Sequence, residues 1–292
     1  MELVITLIAD PGKAPLTETL AGQAAAEFKA GPPDWLAENT ACDLAVEGDL
    51  DAVRKQAAQS ELADRIDIIV QPAANRRKKL LLADMDSTIV TSETLDELAD
   101  HAGLKEKIAG ITARAMRGEL DFQAALSERV GMLKGLPEQA LEDTWEKVQL
   151  TPGARELVRT MSANGARCVL VSGGFRYFTG RVAEMVGFDE DYANTLIIEN
   201  GVLTGKVGEP ILDKDSKLST LERLLGDLAL DRSQTMTVGD GANDLPMILA
   251  AGLGVAFHAK PVVEAEAPAR VRFGDLTALL YMQGYRRDAF RK

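Results

Sequence analysis

The chain has 292 residues, of which 46% are hydrophobic, and a formal net charge of −12. This length and apolar content are sufficient for one large or two modest folded domains. The negative charge argues against a nucleic-acid-binding protein, because nucleic-acid phosphates attract basic surfaces. A site for a phosphorylated ligand would also need a divalent cation between the ligand and the protein's carboxylates.

The sequence predicts a cytoplasmic protein with reduced cysteines. No apolar run is long enough to cross a bilayer, and the first residues lack the basic start of a secretory signal. Cys42 and Cys168 stand far apart, without a second cysteine or a histidine at metal-ligand spacing. We therefore expect both to be buried thiols.

The first 74 residues have the pattern of a small α/β domain. Apolar and β-branched runs predict three strands, and two segments with helical spacing of their apolar residues predict helices. In chain order these segments are 3–9, 16–28, 42–46, 50–59 and 66–70. Residues 72–79, which include the basic run Arg76-Arg77-Lys78-Lys79, are interpreted as a solvated linker.

Residues 75–292 have the pattern of a doubly wound parallel α/β domain. The segment 80–83 is apolar throughout, as expected of a strand that is buried on both faces of a parallel sheet. Helical patterns without a convincing strand fill 92–150, which predicts an all-helical insert after this first strand. We expect ligands at the carboxyl ends of the strands. The remaining predicted elements are helices at 153–163, 176–186, 217–225 and from 246, and strands at 168–171, 194–198, 202–207, 235–238 and 254–257, with a hairpin turn at Asn200-Gly201.

Acidic residues follow two of the predicted core strands. Asp84 directly follows the strand 80–83, Asp86 comes two residues later, and Asp240 follows the strand 235–238. A carboxylate in such a position can attack phosphorus to form an acyl phosphate, and a second carboxylate can protonate the leaving alkoxide. Alone, an Asp-x-Asp sequence followed by serine and threonine is more often a turn cap. Three further segments favour the catalytic interpretation.

These segments supply phosphate and metal ligands in chain order. Ser172-Gly173-Gly174 lies between a strand and a helix, where a hydroxyl and backbone amides can bind phosphoryl oxygens. Lys217 can neutralise charge on a transferring phosphoryl group. Residues 239–244 offer hard oxygen ligands on a tight loop, which suits Mg²⁺. Taken singly, they would be an ordinary loop, a surface lysine and an acidic turn.

Together, residues 84–88, 172–175 and 239–244 resemble the haloacid dehalogenase superfamily, and within it the branch that acts on phosphoserine. The resemblance covers residue 80 to about residue 265. It implies that Asp84 is the nucleophile and Asp86 the general acid and base. The other implied roles are binding of the phosphoryl group by Ser172, Gly173, Lys217 and Asn243, and binding of Mg²⁺ by Asp84, the main-chain carbonyl of Asp86, Asp240 and Asp244. Lys214 is an alternative to Lys217, which we prefer for its spacing to Asp240.

The helical insert resembles the small helical-bundle cap of this superfamily. The resemblance implies that Glu93 contacts a substrate ammonium, that Arg129 binds a substrate carboxylate, and that Met116 and Phe122 form an apolar wall. The implied activity is Mg²⁺-dependent hydrolysis of O-phospho-L-serine, the last step of serine biosynthesis. Without the resemblance, Met116 and Phe122 would be core residues and Glu93 a charge at a helix start. Transfer to another alcohol, a different small phosphate, or an amino-acid sensor with a vestigial phosphatase are the alternatives.

Residues 1–74 resemble, more loosely, the small ACT-like ligand-binding modules that are fused to enzymes of amino-acid metabolism. Such modules have four strands, whereas three are predicted here, so either the sheet is reduced or a neighbouring chain completes it and forms a homodimer. Serine would be the natural regulator. A packing domain without a ligand is an equally good interpretation.

Overall fold

The computed structural model describes residues 1–116, 119–212 and 214–292, without the side chains of Met116, Phe122 and Lys214. In these ranges the strands form a four-stranded, a six-stranded and a two-stranded sheet. No helix of the described ranges is long and apolar enough to cross a lipid bilayer.

Residues 1–74 fold as an antiparallel sheet with two helices. The sheet order is β2-β3-β1-β4, and alternate residues of β1, such as Leu3, Ile5 and Leu7, face an apolar core. The strands are β1 (Glu2–Ile8), β2 (Asp34–Ala37), β3 (Ala41–Glu47) and β4 (Asp67–Pro72), and the helices are α1 (Glu18–Glu27) and α2 (Leu50–Gln59). The prediction of three strands is wrong, because β2 pairs with β3 and supplies a fourth strand from the same chain.

A parallel sheet of order β12-β11-β10-β5-β6-β7 forms the centre of the remaining chain. Its strands are β5 (Leu80–Ala83), β6 (Arg167–Phe175), β7 (Glu190–Asn194), β10 (Thr235–Gly239), β11 (Leu253–Phe257) and β12 (Ala269–Val271). The predicted hairpin is confirmed as β8 (Leu196–Glu199) and β9 (Val202–Val207). The predicted core strands are confirmed, and β7 and β12 are additional strands at the two edges of the sheet.

Helices cover both faces of the parallel sheet. Leu81 and Ala83 of β5 pack in one apolar cluster, and Leu80 and Leu82 pack in another. The helices of this part are α7 (Ala154–Ala163), α8 (Arg176–Val186), α9 (Lys214–Asp227), α10 (Leu245–Ala250), α11 (Pro261–Glu266) and α12 (Ala278–Met282). Because successive residues of a strand point to opposite faces, the all-apolar sequence of β5 follows from this double coverage.

The predicted helical insert between β5 and β6 is confirmed. Its described helices are α3 (Thr94–Asp100), α4 (Lys105–Met116), α5 (Phe122–Met132) and α6 (Gln139–Trp145). The carboxylate of Asp121 caps α5 by accepting the N–H of Ala124 at 2.8 Å. Glu93 and Arg129 of the insert line one cavity with Asp84 and Asp86, so the insert lies over the carboxyl end of β5, where a ligand is expected.

The prediction that the basic run before β5 is solvated is right for Arg77 and Lys79, which are exposed, but wrong for Arg76 and Lys78. The guanidinium of Arg76 donates to both carboxyl oxygens of Asp43, at 2.6 Å each, and to the carbonyl of Met282 at 2.8 Å. Lys78 is buried, its Nζ donates to the carbonyls of Asn75 and Ser233, and burial lowers its pKa to about 8. Arg76 thus joins the N-terminal sheet to the parallel-sheet part, and Lys78 joins the connecting segment to residue Ser233, because carbonyls and a carboxylate replace water around their charges.

Candidate active site

Two neighbouring strand ends bring the acidic residues together. Asp84 follows β5 and Asp240 follows β10, and the N–H of Asp84 donates to the carbonyl of Val238 at 3.0 Å. Each of Asp84, Asp240 and Asp244 offers one carboxylate oxygen within 4.8 Å of the others, and all three residues are buried. The neighbouring parallel strands thus place side chains that are distant in sequence at one edge of the sheet.

The turn after β5 (Met85–Ile89) fixes Asp86 toward the neighbouring strand β6. Its Oδ1 accepts the N–H of Thr94 at 2.7 Å, and its Oδ2 accepts the hydroxyl of Ser172 at 3.2 Å. Burial raises the pKa of Asp86, and these hydrogen bonds oppose that shift. Asp86 can therefore carry a proton more readily than an exposed aspartate.

Lys217 lies in the first turns of α9 and points into the acidic cluster. Its Nζ donates to Oδ1 of Asp84 at 2.7 Å and to Oδ1 of Asp244 at 2.6 Å. Burial lowers the pKa of Lys217, but the charges of Asp244 and Asp84 outweigh burial and the net shift is upward. For Asp84, burial and then the charge of Asp244 raise the pKa, which Lys217 opposes. The structure thus places Lys217 at the site, whereas the side chain of Lys214 lies outside the described residues.

Asp240 provides the test of whether a cation fits. Both of its buried carboxyl oxygens lack a hydrogen-bond donor among the described residues, although Nζ of Lys260 lies 3.3 Å from Oδ2. Burial, with the charge of Asp244, raises the pKa of Asp240 to about 6. Buried carboxylate oxygens are costly unless a cation or donor compensates them, and three carboxylates form a hard oxygen donor set. The cluster Asp84, Asp240 and Asp244 therefore fits a divalent cation.

Gly174 allows the side chains of Asp86 and Ser172 to lie close to the backbone of β6. A Cβ at Gly174 would lie 2.8 Å from Oδ2 of Asp86 and 3.0 Å from the hydroxyl of Ser172. The N–H of Gly174 donates to that same hydroxyl at 2.8 Å. Regular pairing of β6 with β7 is interrupted between Val171 and Phe175, so the backbone bends where these contacts are made.

The carboxyl ends of β5 and β6 form one wall of a cavity, and the helical insert forms the opposite wall. Glu93 and Arg129 line it together with Asp84, Asp86 and the segment 172–174, and Asn243 lines it from the loop after β10. The hydroxyl of Ser87 donates to Oε1 of Glu93 at 2.6 Å. Burial, with the charge of Asp86, raises the pKa of Glu93 to about 8. The predicted wall residues Met116 and Phe122 have side chains outside the described residues.

Arg129 is held on α5 by two contacts. Its Nε donates to the carbonyl of Ala125 at 3.1 Å, and its Nη1 donates to the hydroxyl of Thr112 on α4 at 2.8 Å. Thr112 lines the cavity, and its hydroxyl lies 2.8 Å from Oδ1 of Asp96 on α3. Sequence reasoning missed Thr112 and Asp96. The available signal was the position of Asp96 three residues after Glu93, a spacing that places both on one side of a helix.

The comparisons with known proteins agree with this geometry. Residues 81–249 match the family model of haloacid dehalogenase-like hydrolases. The chain is 43% identical to a phosphoserine phosphatase of Archaeoglobus fulgidus over 78% of this chain and 67% of that protein. It is 42% identical to one of Streptomyces coelicolor over 85% of this chain and 62% of that protein, and so spans less than two thirds of that relative. It is 47% identical to one of Streptococcus thermophilus over 68% of this chain and 93% of that protein.

Solved structures extend the similarity. A HAD family hydrolase from Salmonella enterica serovar Typhi aligns with a TM-score of 0.82 at 28% identity, over 98% of this chain and 99% of that chain. A phospho-aspartyl intermediate analogue of phosphoserine phosphatase aligns with a TM-score of 0.67 at 38% identity, over 70% of this chain and 98% of that chain. The parallel sheet, its carboxylate cluster and these similarities lead to one conclusion: the chain belongs to the haloacid dehalogenase-like hydrolase family.

Proposed function

We propose that this protein is a phosphoserine phosphatase, which hydrolyses O-phospho-L-serine to L-serine and phosphate. The observation that carries this proposal is the single cavity lined by Asp84 and Asp86 on one side and by Glu93 and Arg129 on the other. A phosphate ester next to the aspartates would have an ammonium and a carboxylate within the insert, which suits an amino-acid phosphate. The relatives named above support the same substrate.

In the proposed first step, a carboxylate oxygen of Asp84 forms a bond to phosphorus while the ester P–O bond breaks. Asp86 gives its proton to the departing serine oxygen, which its raised pKa favours. In the second step, a water molecule attacks the phosphorus of the aspartyl phosphate and gives its proton to Asp86. The phosphorus leaves Asp84 as inorganic phosphate, and both aspartates return to their initial states.

Other residues of the sheet edge would bind the phosphoryl group. Lys217 donates from within the site, the hydroxyl of Ser172 and the amide of Gly173 lie at the end of the regular pairing of β6, and Asn243 lines the same cavity. Positive charge and preorganised donors at this position stabilise the charge of the transferring group. A Mg²⁺ ion would supply further positive charge there. The carboxylates of Asp84 and Asp240 and the main-chain carbonyl of Asp86 would hold it, with Asp244 in support.

At the other end of the substrate, Glu93 would bind the ammonium and the fork of Arg129 the carboxylate. Met116 and Phe122 remain the predicted apolar wall. We also keep as proposals the place of the reaction as the last step of serine biosynthesis in the cytoplasm, the boundary at residue 74, an ACT-like role of residues 1–74, and a homodimer through them. The four-stranded sheet removes one argument for the homodimer, since no neighbouring chain is needed to complete it.

The test is phosphate release from L-phosphoserine with and without Mg²⁺, beside phosphothreonine, p-nitrophenyl phosphate and several sugar phosphates. We expect metal-dependent release that is selective for phosphoserine. Release only from the other phosphates would retain the chemistry of Asp84 but contradict the roles of Glu93 and Arg129. No release from any ester would contradict the proposed activity and favour an amino-acid sensor.

A further inference from the structure

Arg129 is a buried cation without a direct carboxylate partner in the described part of the chain. The residue is 6% exposed, and no carboxylate of the described residues lies within ion-pair distance of its guanidinium. A buried charge without compensation is costly, so we expect a carboxylate to compensate Arg129 through an intervening polar group.

The intervening group is the hydroxyl of Thr112, which lies between Arg129 and Asp96. A guanidinium only donates hydrogen bonds, so the hydroxyl of Thr112 accepts from Nη1 of Arg129 at 2.8 Å. The single hydroxyl proton of Thr112 is then free for Oδ1 of Asp96 at 2.8 Å, with the carbonyl of Ile108 at 3.1 Å as the weaker alternative. Asp96 is 9% exposed. Burial raises the pKa of Asp96, while the Thr112 hydrogen bond and the charge of Arg129 lower it.

This indirect pairing leaves the fork of Arg129 available. A carboxylate in direct contact would occupy the paired donors that a bound ligand's carboxylate requires. In the structure, the contacts of Ala125 with Nε and of Thr112 with Nη1 fix the guanidinium plane, and Nη2 has no acceptor among the described residues. The side chain is thus oriented and neutralised without being blocked.

We propose that Thr112 and Asp96 are positioning residues for the substrate carboxylate: Thr112 orients Arg129, and Asp96 supplies its counter-charge through the Thr112 hydroxyl. The inference rests on the proposed function, since it assigns Arg129 to the carboxylate of phosphoserine. The three residues lie on α3, α4 and α5, so the specificity of the cavity depends on the packing of these helices and on one hydroxyl between them.

The test compares O-phosphoserine with O-phosphoethanolamine, which has the same ester and ammonium but no carboxylate. Thr112→Val preserves the shape of the side chain and removes the hydroxyl. We expect KM for phosphoserine to rise about tenfold or more, the size of a lost hydrogen bond to a charged group. Its kcat, and kcat/KM for phosphoethanolamine, should change by less than about twofold because the phosphate site is untouched.

Three further variants separate positioning from folding. Thr112→Ser retains the hydroxyl and should restore KM for phosphoserine. Asp96→Asn retains an acceptor but removes the charge, and should also raise KM for phosphoserine alone. Thr144→Val is the matched control, because Thr144 is a buried threonine of the same insert whose hydroxyl donates to the carbonyl of Ala140. Thr144→Val should not change the ratio of kcat/KM for phosphoserine to kcat/KM for phosphoethanolamine.

The outcomes discriminate between the two proposals. If wild-type protein shows no preference for phosphoserine over phosphoethanolamine, the proposed function and this inference are both wrong. If wild-type protein shows the preference but Thr112→Val lowers kcat/KM equally for both substrates, or changes it for neither, only the positioning role is overturned.

Discussion

The Nζ atom of Lys217 lies 2.7 Å from Oδ1 of Asp84, although the two residues are 133 positions apart in the chain. The same Nζ lies 2.6 Å from Oδ1 of Asp244. Lys217 is 2% exposed, so the three charges compensate one another away from water. Replacing Lys217 with a neutral residue would leave the buried carboxylates of Asp84 and Asp244 without this positive charge. Loss of one partner of a buried ion pair is strongly destabilising.

Lys217→Met should therefore lower the free energy of unfolding of the metal-free protein by about 3–5 kcal/mol. Urea unfolding in the presence of a chelator measures this difference. Turnover of phosphoserine should fall by about 10²-fold or more, as when a preorganised charge is removed from a transition state. Lys214→Met, three residues away, is the control and should retain both stability and turnover. The opposite ranking of the two variants would mean that Lys214 is the phosphate lysine.

Asp84→Asn should abolish turnover while the protein remains folded. The amide has nearly the shape of the carboxylate but cannot act as the nucleophile. Phosphate release measures the loss, and circular dichroism with urea unfolding verifies the fold. Ordinary activity in this variant would disprove the aspartyl-phosphate mechanism.

Arg129→Ala should raise KM for phosphoserine by about 10²-fold, because the substrate carboxylate loses a charged, paired donor. Hydrolysis of p-nitrophenyl phosphate, which has no carboxylate, should remain within a few-fold of the wild type. Steady-state kinetics on both esters provide the comparison. An equal loss on the two would contradict the assigned role of Arg129.

Gly174→Ala should reduce kcat, because the new Cβ would lie 2.8 Å from Oδ2 of Asp86 and displace that carboxylate. A misplacement of this kind can cost about 10²-fold in rate. Gly180 in α8 is the matched control, since a Cβ there meets no atom of the described residues within 4 Å. Gly180→Ala should keep kcat and stabilise the helix by up to about 1 kcal/mol. Equal kcat values for both variants would show that Asp86 tolerates the displacement.

The two thiols should be unreactive in the folded protein. Burial raises the pKa of both Cys42 and Cys168 to about 12, so each thiol loses its proton only near that pH. At pH 8 the thiolate fraction would be about 10⁻⁴, whereas an exposed thiol of ordinary pKa is about one quarter ionised. Titration with a thiol reagent should detect neither cysteine at pH 8 and both in guanidinium chloride. Rapid labelling of the native protein would show that one of them is accessible.

Local patterns predicted the elements that position the aspartates. Four apolar residues predicted β5, and the acidic residue after them predicted the site, because a strand covered on both faces has few other sequences available to it. The Asn200-Gly201 pair predicted the hairpin, since both residues adopt the positive φ that its turn requires.

Elements that depend on tertiary partners could not be predicted in this way. β2 is short, follows two prolines, and is recognisable only from its pairing with β3. β7 begins Glu-Asp-Tyr and lies at a sheet edge, so it lacks the apolar run of the central strands. Thr112 has no signal of its own, because its partners come from two other helices and meet only when the insert is packed.

The junction between the N-terminal sheet and the parallel sheet limits how this protein can be recombined with others. Besides the contacts of Arg76, the carboxylate of Asp67 accepts the N–H groups of Arg272, Phe273 and Gly274, at 2.8, 3.2 and 3.0 Å. A chimera that replaces residues 1–74 with an unrelated module would leave three amide donors without their acceptor and Arg76 without its carboxylate partner. Domain exchange should therefore succeed only with modules that present a carboxylate at each of these two places.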